Sequence, residues 1–149
     1  MNSQSIRTLA LSALFLFIGC GEAPIIPEAN YSLEAIGRSA YKALIKVKKV
    51  SQNRREYFSD YLTLEGKLWD PLSNDVRRVT AKVIVLGERR PYTIEIQTIV
   101  EERSANEPGY SARFKRVGKS KALIEQLAFR IQDDLRKNKD QSLDDFKPF

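Results

Sequence analysis

The chain has 149 residues, with 25 Lys and Arg against 19 Asp and Glu, a net charge of +6, one cysteine and no histidine. Without histidine there is no side chain whose ordinary pKa lies near neutrality, no imidazole metal ligand and no histidine-dependent catalytic triad. One cysteine cannot form an internal disulfide, and if its thiol is blocked the chain has no thiolate for zinc or for nucleophilic catalysis. No metal and no cofactor is expected.

Residues 1–19 read as an export signal. Met1 to Ser5 are polar, Arg7 is positive, and Leu9 to Ile18 form an apolar core. That core is about ten residues, within the 7–15 of a secretory signal and short of the roughly 20 that span a membrane. It ends in Phe17-Ile18-Gly19-Cys20. This resembles the lipobox of bacterial lipoproteins, although Phe17 stands where that family has Leu, Val or Ile. In the family the cysteine sulfur is diacylated, the signal is cut before the cysteine, and the new amine is acylated. The resemblance therefore implies a lipid anchor at Cys20; an ordinary signal core with an incidental cysteine is the alternative. Cleavage there removes 19 residues and leaves 130 of the 149, and losing Arg7 lowers the net charge to +5. Gly21 follows, not the Asp that retains many Gram-negative lipoproteins in the inner membrane. The resemblance thus implies the periplasmic face of the outer membrane. A basic exported domain points to acidic partners, such as lipid headgroups or acidic protein faces, and not to nucleic acid.

Residues 20–30, with Pro24 and Pro27, read as a flexible tether. Ser32 is a helix cap with Glu34 in the first turn. Leu33, Ile36, Ala40, Leu44 and Val47 then recur at helical spacing, which predicts a helix over about 33–49. In YFSDYLTLEGKLW, Leu62, Leu64, Gly66 and Leu68 alternate with polar residues and predict a first strand. WDPLSND is a loop. VRRVTAKVIVL predicts a second strand with Val79, Ala81, Val83 and Val85 on one face. After GERRP a third strand carries Tyr92, Ile94, Ile96, Thr98 and Val100 on one face. SANEPG is a loop, and Tyr110 to Val117 is a weaker fourth strand with Ala112 and Phe114 on one face. Ser120 then precedes a helix with a buried stripe of Ile124, Leu127, Ala128, Ile131 and Leu135. Residues 31–138 are expected to form one domain, and 139–149 a frayed, acidic tail.

Helix, four strands, helix, with short connections, predicts an α+β fold. It would be a four-stranded antiparallel meander sheet covered on one face by the N-terminal and C-terminal helices.

Three near-motifs for chemistry fail on inspection. VGKSKAL resembles the end of a phosphate-binding loop, but Arg113 stands where the motif needs a glycine. SAYK, Ser39 to Lys42, matches the Ser-x-x-Lys of penicillin-binding enzymes without their companion motifs. The acidic doublets Glu101-Glu102, Asp133-Asp134 and Asp144-Asp145 place neighbours on diverging faces, not across a cleft. A non-catalytic protein is the expectation.

The meander brings basic residues to one pole. The first helix would run from the opposite pole, where acids such as Glu101 and Glu102 mix with Arg77, Arg78 and Arg103, to the basic one, with Arg54 and Arg55 following it there. Arg89 and Arg90 occupy the next turn at that pole, and Lys115, Arg116 and Lys119 leave the fourth strand there. These seven are the candidate partner-binding residues; Arg54, Arg55, Arg89 and Arg90 lead, because a guanidinium suits paired contacts with carboxylate or phosphate.

Two functional classes follow. One is a lipid-anchored accessory or scaffold subunit of an outer-membrane assembly or transport complex. The other is a carrier for an acidic amphiphile such as lipopolysaccharide. Two helices on an antiparallel sheet, the strand YLTLEGKLWD and the terminal amphipathic helix are similar in style to the lipopolysaccharide-assembly lipoproteins that sit with an outer-membrane barrel.

Overall fold

A computed structural model describes residues 25–104 and 113–144. Cys20 and its apolar run lie outside the described residues, as do Tyr110, Ala112 and the last five residues. The elements in chain order are β1 (Ile25–Ala29), α1 (Leu33–Ala43), β2 (Val47–Val50), β3 (Glu56–Ser59), β4 (Arg77–Leu86), β5 (Tyr92–Arg103), β6 (Phe114–Gly118) and α2 (Lys121–Asp144). The molecule is α+β, with an antiparallel sheet and two helices. The sheet has six strands, not the four expected.

The long hairpin β4–β5 is its spine, in register from Arg77↔Glu102 to Leu86↔Thr93. Val79, Ala81, Val83 and Val85 on β4, and Tyr92, Ile94, Ile96, Thr98 and Val100 on β5, are buried as the alternation predicts. β3 and then β2 extend the sheet beyond β4. On the other side β5 takes two short partners: β1 opposite Tyr92–Glu95, and β6 opposite Val100–Arg103.

The two extra strands come from segments read otherwise in the sequence. Residues 25–29, expected as tether, are β1, and Ile26 and Ala29 are buried in the core. Pro27 is compatible because β1 is an edge strand, and its register shifts between Ile26 and Ala29, where Glu28 has φ 54°. The first helix ends at Ala43, not 49. Leu44 caps it, Ile45 turns left-handed at φ 62°, and the Lys46 N–H bonds the Leu44 carbonyl at 2.6 Å. The chain then starts β2. Leu44 continues the helical spacing because it is fully buried at the cap, which hid the break.

The expected strand over 62–69 is a tight turn. Leu62 bridges both Val79 and Leu68, and Thr63 bonds Lys67 and Gly66 across the turn. Gly66 has φ 73°, and a Cβ there would lie 2.8 Å from Leu123 Cδ1 of α2, so any other residue is strained and displaces Leu123. The regular strand is β3, just upstream. At the C-terminus, α2 continues to Asp144 across residues expected as tail.

Both helices lie on the face that buries the β4–β5 core. α1 begins as expected, with the Ala35 N–H donating to Ser32 Oγ at 3.1 Å. α2 buries Leu123, Ile124, Leu127, Ile131 and Leu135, and the Leu123 N–H donates to Ser120 Oγ. The helices are clamped by Asp134, which accepts from Ser39 Oγ at 2.5 Å and from Lys42 Nζ at 2.7 Å. Burial pushes the Asp134 carboxyl up, and the bonds from Lys42, Ser39 and Asn138 outweigh it, leaving the pKa lowered.

Candidate functional site: the open face of the sheet

The period of two sends the other half of each strand to the opposite face, where the described residues place no helix. Phe58, Thr80, Lys82, Ile84, Gln97, Ile99 and Glu101 there are only partly buried. Strand register sets them in rows: Glu56, Ile84 and Glu95; then Lys49, Phe58, Lys82 and Gln97; then Thr80 and Ile99; then Arg78, Glu101 and Arg116. Cross-strand neighbours of this kind lie within about 5 Å at Cβ, so each row is a contact surface.

Two features stand on this face. The first is a groove of 310 Å³ lined by Lys48, Lys49, Phe58, Thr80, Lys82 and Ile99, among others. Lys49 Nζ and Lys82 Nζ lie 5.8 and 5.0 Å from the Phe58 ring centroid, and Lys48 Nζ lies 5.4 Å from that of Tyr61. Lys82 also pairs with Glu56 at 2.9 Å. The groove thus has an apolar floor and an ammonium rim.

The second is an aromatic–guanidinium cluster. The Arg78 guanidinium sits 3.7 Å from the Tyr61 ring centroid and 3.6 Å from that of Phe114, with Trp69 at 5.4 Å. Its Nε donates to Glu101 Oε2 at 2.8 Å. Trp69 meets both Tyr61 and Phe114 edge-on. Arg103 lies 5.8 Å from the Phe114 ring. Stacked and paired in this way, the Arg78 guanidinium is held at low solvent exposure.

The seven residues expected at one pole are divided between two ends of the molecule. Arg54 and Arg55, in the β2–β3 turn, and Arg89 and Arg90, in the β4–β5 turn, are together at one end. The Glu56↔Ile84 pairing and the bond from the Val85 N–H to the Arg55 carbonyl fix this. Arg55 is engaged within the fold: its guanidinium donates to the Gly87 and Glu88 carbonyls and packs on Tyr92. Arg54, Arg89 and Arg90 are exposed. Lys115 and Arg116 are at the other end, opposite Glu102 and Glu101, and Lys119 follows Gly118, which pairs with Val100. The expectation failed because β6 spans only the far half of β5. The helix polarity is also reversed. β1 ends opposite Tyr92, so α1 starts at the Arg54–Arg89 end, where Gly37 meets Tyr57.

The near-motifs resolve into structural contacts. Ser39 is fully buried and donates to Asp134. Ser120 caps α2, and its N–H donates to Thr98 Oγ1 at 2.9 Å. Glu101 and Glu102 pair with Arg78 and Arg77 from opposite sheet faces. Among the described residues, no group of His, Cys, Asp and Glu could hold a metal. A larger cleft, 650 Å³, opens between α1 and the β2–β3 turn over Gly37, Tyr41, Arg54 and Tyr57. Burial raises the Tyr57 phenol there, with a smaller push from Tyr41 against an opposing pull from Arg54.

The open face was missed in the sequence although its signal was present. Every second residue of β4 and β5 stands opposite the buried alternation and is partly exposed. Lys49, Phe58, Lys82 and Arg78 come together only through register, which the pattern of one strand does not give. No protein-family model matches the chain, and none of the curated proteins matches it.

Proposed function

We propose that this protein is a lipid-anchored, non-catalytic accessory subunit of the bacterial envelope. Acylated at Cys20 and held on the periplasmic face of the outer membrane, it docks an acidic partner protein on the open face of its sheet. The observation that carries this reading is the two-sidedness of the sheet. One face is sealed by α1 and α2, while the other carries Lys48, Lys49, Arg78, Lys82, Arg103 and Arg116 among aromatic rings, against Glu56, Glu95 and Glu101. Aromatic and Arg side chains are the groups that dominate binding at protein interfaces. The exposed Arg54, Arg89 and Arg90 at one end add a long-range field that speeds encounter with an acidic surface.

The groove beside Phe58 favours a second reading, a carrier for an acidic amphiphile. At 310 Å³ it is at the lower end of the roughly 300–1,000 Å³ of small-ligand sites. It suits one chain of a lipid better than a multi-chain molecule, which is why the docking reading stands first.

Two or three acyl chains, at about 0.8 kcal/mol per buried methylene, hold a protein stably where one is marginal. Cys20→Ser should therefore give an uncleaved or soluble product on fractionation of envelopes. Mild crosslinking of the wild-type protein should recover a stoichiometric protein partner. Unaltered maturation and membrane attachment of Cys20→Ser would remove the anchor. Recovery of a partnerless monomer with bound lipid would replace docking by the carrier reading.

A further inference from the structure

The 310 Å³ groove on the open face carries its charge on two sides, not at one end. Phe58, on β3, lies between Lys49 on β2 and Lys82 on β4, and register sets the three in a single row. The two ammonium groups lie 5.8 and 5.0 Å from the Phe58 ring centroid. Thr80 and Ile99 continue the floor in the next row. Neighbouring strands are about 4.8 Å apart, so the two lysines leave the backbone roughly 10 Å from each other with an aromatic ring between them. Solvent reaches the whole row: Lys49 is exposed, and Phe58, Thr80, Lys82 and Ile99 are half-buried. Lys82 shares Glu56 at 2.9 Å, whereas Lys49 makes no hydrogen bond or ion pair among the described residues.

We propose that this groove takes one apolar side chain of the partner protein, the size of a leucine, with a Glu or Asp of the same partner on either side of it. The apolar side chain covers Phe58 and Ile99. One carboxylate meets Lys49, with Lys48 beside it, and the other meets Lys82. A ligand with its charge at one end, such as a fatty acid, would neutralise one lysine and lay its tail against the other, taking that ammonium out of water without a counter-charge. Two separated cations around an apolar floor match a segment with two separated anions. The row of Glu56, Ile84 and Glu95 repels carboxylates from one side, so the partner segment follows the row of Lys49, Phe58 and Lys82 across the strands. An apolar anchor in a pocket with charges at its rim is the usual anatomy of a protein interface. The site rests on the reading of the open face as a docking surface, and it names the motif which that surface reads.

The probe is the acetylated, amidated peptide Glu-Ser-Leu-Ser-Glu, whose two Glu and Leu share one face when extended. It is titrated at low salt into the full-length chain held in phosphatidylcholine nanodiscs, following the backbone amide NMR signals of Phe58, Thr80 and Ile99. These should move together and saturate. Replacing the peptide's Leu by Ala, or either Glu by Gln, should weaken binding several-fold, and the Glu effect should fade as salt is raised. Lys49→Gln and Lys82→Gln should each weaken the parent peptide several-fold and each cancel the effect of one of the two Glu replacements. If Lys82→Gln does not fold, Lys49→Gln decides, since its side chain is exposed. The site is overturned by unmoved signals, by unchanged affinity in the folded variants, or by saturation with decanoate at lower concentration than with the peptide. Full recovery of the envelope partner by the folded chain carrying both Lys49→Gln and Lys82→Gln would leave docking on the open face standing and remove the groove's part in it.

Discussion

Asp134 shows how a single side chain can be misread from sequence and still be informative. In the sequence it is half of an acidic doublet, and Ser39 and Lys42 are a Ser-x-x-Lys match on another helix. The structure joins all three into the clamp between α1 and α2. No spacing rule could show this, since Asp134 and Ser39 are distant in the chain. The pair has a testable consequence in acid. The lowered pKa of Asp134 means that its ionised form stabilises the fold. That contribution is complete above the ordinary carboxylate value of about 3.9 and is lost as pH falls through the lower folded value. Asp60 acts in the same direction, its carboxyl lowered first by the bond from Lys46 and then by the Tyr61 N–H. Asp134→Ala should cost about 1–3 kcal/mol near neutrality, because it strands the buried Ser39 hydroxyl. Its stability should also fall less steeply than wild type below about pH 4. Urea melts at pH 7 and pH 3 measure both, and parallel losses at the two values would contradict the assignment.

Among the elements, those with a strong period were legible and those decided by register were not. β4, β5 and the stripe of α2 were read from alternation or helical spacing, because each buries one whole face. β1 was not. Two prolines and two glutamates in GEAPIIPEAN outweigh two isoleucines in any local pattern, and only the open edge of β5 makes the segment a strand. The same holds for β2, where Val47 and Val50 also fit the helix that ends before them. If β1 is part of the fold, Ile26 matters to stability and a tether residue would not. Ile26 is 6% exposed. Ile26→Ala should therefore destabilise the domain by about 2–4 kcal/mol. A change within about 0.5 kcal/mol, as for an ordinary surface substitution, would return residues 25–29 to the tether.

Over the whole molecule, the sequence conveyed the class of the fold and placed the helices on one face, but it gathered at one pole basic residues that the register divides between two ends. Basic residues were collected by which end of a meander they reach, whereas register collects them by face. Lys115 and Arg116 lie at the far end because β6 is short, and Lys48, Lys49, Arg78 and Lys82 are together on the face where the described residues place no helix. A domain with one sealed face and one basic, aromatic face has an obvious surface to offer a partner, and an anchor before β1 would hold that surface at the membrane. The direct measurement is in-cell photocrosslinking with a photoreactive residue at single positions. Thr80 and Ile99 report the open face; Tyr41 and Phe129, which are 50% and 66% exposed, report the helical side. Docking through the open face predicts a discrete protein adduct from Thr80 and Ile99 and none from Tyr41 or Phe129. Adducts from the helical positions alone, with the protein folded and anchored, would contradict it.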